Sequence, residues 1–359
     1  MIRKRATYVL IALFILSCLI HFFSANKNFA ETNYAGTVYP VISFFLKSLL
    51  GWIPFSVGDV LYGLAGGWMI CKICNGAVIL LKRKTTVQQV LQQVKKTTIV
   101  LLLIYILFNL LWGINYNRKG IAYQLGLEPA KYNVTQLRAI DSLVLQKVNS
   151  SKNALNAAGK SYTGKAGLFK EAANSYNQLT AVSFFKPYKP SSVKNSMWGW
   201  LGNYLGFTGY YNPFTGEAQV NTTVPSFLHP FITCHEIAHQ QGYAKEDEAN
   251  FVGYLAAASS KDAAFNYSAY LEIFLYTNRN LYRYDSSCAR QFARQLLPAV
   301  QADILQWKKF NEQHVNPVEP AISWLYGKFL QGNQQPEGLM RYDRVTSLLI
   351  AYYKKYQRL

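Results

Sequence analysis

Three long apolar runs open the chain, and beyond residue 115 no run of that length recurs. The first, YVLIALFILSCLIHFF, follows the basic MIRKR and predicts a membrane helix over 8–24. The second, VGDVLYGLAGGWMICKICNGAVILL, predicts a span over 57–81, and TTIVLLLIYILFNLLWGI predicts a third over 97–114. Between the first two, VYPVISFFLKSLLGWIPFS is apolar but broken by Pro40, Lys47 and Pro54. That pattern predicts a helix near 38–56 lying at the membrane interface. The first run also has the size of a signal-peptide core; cleaved or retained, it leaves the placement of later residues unchanged.

After the third run the periodicity becomes amphipathic. TQLRAIDSLVLQKVN, AGLFKEAANSYNQL, SFLHPFITCHEIAHQ and the run from Asp247 through Ala258 carry apolar residues at helical spacing. So do AFNYSAYLEIFLYTNRNLY, SCARQFARQLLPAVQADILQW, EPAISWLYGKFL and RVTSLLIAYYKKY. One stretch departs from this, MWGWLGNYLGFTGYYNPFTGEAQVNTTVP, rich in aromatics, threonine and turn formers. Its NPFTG, flanked by GYY and EAQVN, predicts a small β-hairpin or an edge strand with a turn. The expected fold is mainly α (α+β), with a membrane part over 1–117 and one largely helical domain over 118–359.

Composition supports a divided chain. Half of the 359 residues are hydrophobic and 15% are charged, too apolar for an ordinary soluble protein and too mixed for a polytopic transporter. The basic segments MIRKR and KRKTTVQQVLQQVKK flank the spans on one side, which the positive-inside rule assigns to the cytoplasm. Residues 118–359 are then expected beyond the membrane. The net charge of +19 is dispersed, with no arginine-rich or aromatic-basic motif, so anionic lipid headgroups or acidic envelope polymers are expected partners and nucleic acid is not. Of the five cysteines, Cys18, Cys71 and Cys74 fall in the apolar runs, which argues against a disulfide framework or zinc ribbon. Asn115, Tyr116 and Arg118, at the exit of the third run, read as interfacial anchors.

The candidate chemistry lies in FITCHEIAHQQGYAKEDEANF, residues 231–251. Residues four apart share a helix face, so His235 and His239 of HEIAH can grip one ion while Glu236 stands beside it. The division of labour is two imidazoles as ligands and one carboxylate as base. Phe231, Ile232, Cys234, Ile237 and Ala238 mark this helix as buried, and buried histidines need partners, which one metal ion would supply for both. Gly242 ends the helix, and a second helix can fold back to offer Glu246, Asp247 or Glu248 as a third ligand.

HEIAH followed by Glu246, Glu248, Ala249 and Asn250 resembles the gluzincin class of zinc metallopeptidases. The resemblance implies Zn2+ as cofactor, Glu246 as third ligand and Asn250 as a residue orienting a histidine. The spacer after His239 is shorter than in most gluzincins, which keeps Glu248 as the alternative third ligand. The metzincin pattern would place its third ligand at Lys245, unsuited while protonated. With WGINYNRKGIAYQLGL and GYYNPFTGEAQVN, the whole chain resembles an uncharacterised bacterial domain-of-unknown-function family with N-terminal membrane spans and an extracytoplasmic zincin domain. The implied setting is a multi-pass protein of the bacterial inner membrane.

The expected activity is hydrolysis of peptide bonds in a peptide or protein substrate, with Glu236 as general base. Tyr210, Tyr211, Asn212 and Glu217 are substrate-binding candidates, because an edge strand preceding the metal helix can pair with a substrate main chain. The oxyanion donor is sought among Tyr210, Tyr211, His229, Tyr342 and Arg344. The alternatives are a zinc-binding envelope assembly protein without turnover, and a zinc amidase acting on cell-wall peptides.

Overall fold

In the computed structural model, which describes residues 2–81, 86–159, 164–179, 185, 187–333 and 342–359, the first apolar run is helix α1 (Ile2–Ala25). A π-helical segment (Phe29–Val38) leads into α2 (Tyr39–Leu50). The helix expected near 38–56 therefore stops at Leu50, ahead of Pro54, and the π-helical turn before it left no sequence signal. The second run is α3 (Val57–Leu81), and the third lies within α4 (Val87–Leu111).

Helix α4 begins well before the expected residue 97. Thr86 and Gln89 form a reciprocal capping box at its start, and the glutamines and lysines that follow are good helix formers. It ends at Leu111, where Gly113–Asn117 turns as a 3-10 helix. Among the described residues, three stretches are long and apolar enough to cross a membrane: Arg5–Ala25, Val57–Val78 and Val87–Leu111. Helix α1 packs along α4; among the described residues α3 makes no comparably extended contact with either.

The remaining chain is mostly helical. After α5 (Ile121–Gln124) come α6 (Val134–Ala157) and α7 (Lys165–Leu179). Strand β1 (Val193–Asn195), helix α8 (Gly199–Leu205), and strands β2 (Gly209–Asn212) and β3 (Glu217–Val220) follow. Then come α9 (His229–Gln240), α10 (Glu246–Ser259), α11 (Ala263–Tyr284) and α12 (Ser286–Arg294). The chain closes with α13 (Pro298–Gln313), α14 (Glu319–Gly332) and α15 (Tyr342–Tyr356). The single helix expected over SCARQFARQLLPAVQADILQW divides into α12 and α13 at Pro298, whose ring fits a first helical turn but not a helix interior.

Helix α11 forms the centre of the core. Phe265, Tyr267, Leu271, Ile273, Phe274 and Leu281 are each at most 2% exposed, and α6, α9, α10 and α15 pack around them. The expected hairpin is present: β2 pairs antiparallel with β3, Tyr211 opposite Ala218. Strand β1, which the sequence did not announce, pairs parallel on the other side of β3, so the order is β1-β3-β2 and β2 is an edge.

This small sheet is fastened to the head of α3. Glu217, fully buried, accepts hydrogen bonds from the backbone N–H of Val57 (3.1 Å) and Gly58 (2.6 Å), two of the orphan donors that open a helix. The Tyr210 hydroxyl donates to Asp59 Oδ1 at 2.5 Å. Cys234 and Cys288, like the other three cysteines, are free thiols.

Candidate metal centre

Helix α9 carries HEIAH, and its register decides what faces what. His235 and His239 stand one turn apart with ring centroids 4.7 Å from each other. Gly242, at φ +87°, reverses the chain in a conformation that glycine adopts freely. Helix α10 starts four positions later and runs back against α9. The approach is close because of Gly253: a Cβ there would lie 2.9 Å from both the N and Cα of His235. That contact, with the tight reversal, brings Glu246 level with the histidines despite the short spacer.

Glu246 Oε2 lies 3.3 Å from His235 Nε2 and 3.7 Å from His239 Nε2, and the three ligand-type atoms fall within 4.8 Å of one another. A direct charge-assisted hydrogen bond would be shorter, about 2.7–2.9 Å. Ligands held tetrahedrally at about 2.0–2.1 Å from zinc lie about 3.3 Å apart. The observed separations suit donors sharing a cation better than donors bonded to each other. His239 Nδ1 lies 2.8 Å from the Tyr243 carbonyl, which fixes the proton there and leaves the Nε2 lone pair facing the cluster. The donor set fits a metal ion, and two imidazoles with one carboxylate suit zinc.

Electrostatics favour positive charge at this point. Burial alone would lower the proton affinity of His239, but Glu246, Glu236 and the Tyr243 carbonyl raise its pKa to about 9. Burial likewise works against Glu246 as an anion, yet the two histidines hold its carboxyl well below the usual range. A proton and a metal ion compete for the same electron pairs in such a cluster.

Glu236 points from α9 into the same space and is 3% exposed. Its Oε2 has no hydrogen-bond partner among the described residues. Burial pushes its pKa up to about 7, the histidines opposing and Glu246 assisting. The glycine that begins β2 leaves it room: a Cβ on Gly209 would meet Glu236 Oε1 at 2.5 Å and push the carboxylate aside.

The two candidate third ligands separate cleanly. Positions 246 and 248 point about 200° apart around a helix, so only one can face α9. Glu248 lies beneath Gly120 and pairs with Lys245 at 3.3 Å, leaving Glu246 in the cluster. Asn250 lines the cavity, without a side-chain hydrogen bond to either histidine among the described residues. A residue absent from the sequence reading reaches the cluster instead: the Tyr326 hydroxyl of α14 donates to Glu246 Oε1 at 2.6 Å. Burial and the adjacent carboxylate keep that phenol protonated.

The other candidates are placed as follows. Tyr210 and Tyr211 line the cavity with their rings while their hydroxyls bond to Asp59 and Tyr39. Asn212 is buried in the hairpin turn, accepting from the N–H of Phe214 and Thr215. Glu217 caps α3, so it neither faces solvent nor reaches the cavity. His229 Nε2 is engaged by the Val224 carbonyl at 2.8 Å, outside the cavity lining. Arg344 pairs with Asp247 at 2.9 Å, and the Tyr342 side chain lies outside the described residues.

The residues read as interfacial anchors adjoin the metal turn. Arg118, 6% exposed, donates to the Gly242 carbonyl at 3.0 Å and pairs with Glu31 at 3.2 Å. Trp112 Nε1 donates to the His239 carbonyl (3.2 Å), and the Tyr39 hydroxyl to that of Gln240 (2.9 Å). These donors tie the segments around the apolar helices to carbonyls at and just beyond the C-terminal end of α9. The cluster opens into a cavity of ≈ 750 Å³, whose walls include Tyr116, Glu272 and Tyr276.

Comparison with known proteins adds one match. The family model described as "Protein of unknown function (DUF3810)" matches residues 34–350, most of the chain. No curated protein and no solved structure matches it.

Proposed function

The chain belongs to the DUF3810 family, and we propose that it is a membrane-anchored zinc-dependent peptidase. The family description carries no activity, so the reading rests on the site. The observation that carries it is Glu236: a buried carboxylate with an unpartnered oxygen beside His235, His239 and Glu246. A purely structural zinc site is closed by a fourth protein ligand and has no use for such an acid. Leaving it unpaired in the interior carries a cost that a catalytic role would explain.

His235, His239 and Glu246 would hold the ion. Bound zinc supplies a Lewis acid that acidifies water and polarises a carbonyl. Glu236 takes a proton from water as the water oxygen attacks the peptide carbonyl carbon, and returns it to the amine nitrogen as the C–N bond breaks. Tyr326 positions Glu246 by holding its second oxygen, and His239 is positioned by the Tyr243 carbonyl. The edge strand β2 can align an extended substrate by main-chain pairing. Basic residues in the first turns of α1 and between α3 and α4 support a cytoplasmic location for those segments and an extracytoplasmic one for the site.

The test is metal analysis and a peptide-library assay on the purified full-length chain. Wild type should carry one zinc per chain, lost in His235→Ala and His239→Ala. Glu236→Gln should keep the metal and lose turnover. Stoichiometric zinc with no peptide cleaved by wild type would reject the peptidase reading.

A further inference from the structure

The cavity at the metal cluster extends beyond the helices that carry the ligands. One wall is formed by Tyr62 of α3 and by Leu101, Ile104, Tyr105 and Phe108 of α4, faces of two helices of membrane-spanning type. Counting back from Leu111 at 1.5 Å per residue, Leu101 lies about 15 Å along α4, about half the hydrocarbon thickness of a bilayer. The cavity thus reaches down one leaflet.

That wall is open between its two helices. Among the described residues α3 makes no extended contact with α4, and Leu101 and Ile104 are 59% and 49% exposed while also facing the cavity. In a bilayer such a gap meets acyl chains, so an apolar chain segment can pass sideways through it without crossing water. Another part of the cavity lining is polypeptide-like in its offer: edge strand β2, with Gly209, Tyr210 and Tyr211 in the lining, runs from the head of α3 to Glu236. An edge strand presents main-chain donors and acceptors in the pattern of another extended chain, which a lipid does not match.

We propose that the substrate is a polypeptide anchored in the same bilayer by an apolar segment, entering between α3 and α4 and cut in the extended stretch beside that anchor. This rests on the peptidase reading for the cut and on the cavity alone for the route. The apolar segment occupies the gap; the adjoining residues lie along β2 with the bond to be broken at Glu236.

The route is tested without turnover. Full-length Glu236→Gln protein in phospholipid vesicles carries a photoreactive phenylalanine at Ile104, or at Leu19, which lies at similar depth on α1, is 48% exposed and is outside the cavity. The probes are a reporter with a polyleucine anchor joined to an extended flank, and the flank alone. The anchored reporter should crosslink from Ile104 at least tenfold more than from Leu19, and more than the flank alone. Equal yields from the two positions, or adducts with phospholipid only, would overturn the proposal. With otherwise wild-type protein, Leu101→Trp should slow cleavage of the anchored reporter about tenfold and leave the flank peptide unaffected; equal slowing of both would also overturn it. If wild type and Glu236→Gln treat every peptide alike, the peptidase reading fails, and the crosslink still decides the route.

Discussion

Gly253→Ala is the smallest change that tests how the metal cluster is assembled. A Cβ at this position would sit 2.9 Å from His235 N and Cα, backbone atoms that cannot rotate aside. Ordinary carbon contacts lie at about 3.5–4.0 Å, so α10 must retreat from α9 by roughly 1 Å. Glu246 shares a face with Gly253 two turns earlier and moves with it. Its distances of 3.3 and 3.7 Å to the two imidazoles would then stretch beyond the ~3.3 Å that tetrahedral zinc requires. Zinc affinity should fall by about 10–100-fold, as when ligand-orienting groups are lost. Overpacking should cost about 1–3 kcal/mol of stability, against a gain of about 1 kcal/mol from replacing glycine in a helix. Competition with a chromophoric chelator and thermal unfolding of the full-length chain measure both quantities. Gly327→Ala, in open space on α14, is the control and should leave zinc affinity unchanged. If Gly253→Ala bound zinc like wild type and melted higher, as helix propensity alone dictates, the close-approach argument would be wrong.

Three further changes probe other parts of the structure. Tyr326→Phe removes the 2.6 Å hydrogen bond to Glu246 and should weaken zinc about tenfold with little effect on melting; unchanged affinity would exclude its positioning role. Glu217→Ala deprives two N–H groups of α3 and the Thr215 hydroxyl of their acceptor and should cost about 2–3 kcal/mol in denaturant unfolding. A wild-type midpoint in that variant would mean the cap is idle. Asp141 is buried with the Thr277 hydroxyl and Asn278 amide as donors, and burial raises its pKa from 3.8 to about 6. The folded state therefore holds the proton more tightly than the unfolded chain. The stabilisation is complete below about pH 4 and lost as pH rises through 6, about 3 kcal/mol in all. Measured against Asp141→Asn, in which this titration is absent, wild type should lose about 2 kcal/mol of that between pH 4 and 7; a pH-independent difference would refute it.

Much of this was legible in the sequence, because the signals were local. Apolar runs and helical periodicity marked the helices, and H-E-x-x-H fixed the mutual placement of His235, Glu236 and His239 on one element. Choosing between Glu246 and Glu248 needed the interhelical contact at Gly253, which a sequence records only as one glycine in a helical run. Tyr326 reaches Glu246 across 80 positions of chain, and Glu217 reaches Gly58 across 159. No local pattern announces partners at such separations. Arg118 was misjudged for a related reason: a basic residue after an apolar run resembles an anchor until Glu31 and the Gly242 carbonyl are seen around it.

The donors supplied to the end of α9 by Tyr39, Trp112 and Arg118 alter what counts as the smallest unit able to bind the ion. Trimming the chain back to the residues after Arg118 would remove Tyr39, Trp112 and Arg118 together and leave the backbone oxygens of His239, Gln240 and Gly242, all within about one helical turn, without those side-chain donors. The hydrophobic portion is thereby built into the frame of the His235–His239–Glu246 cluster and is no mere leash.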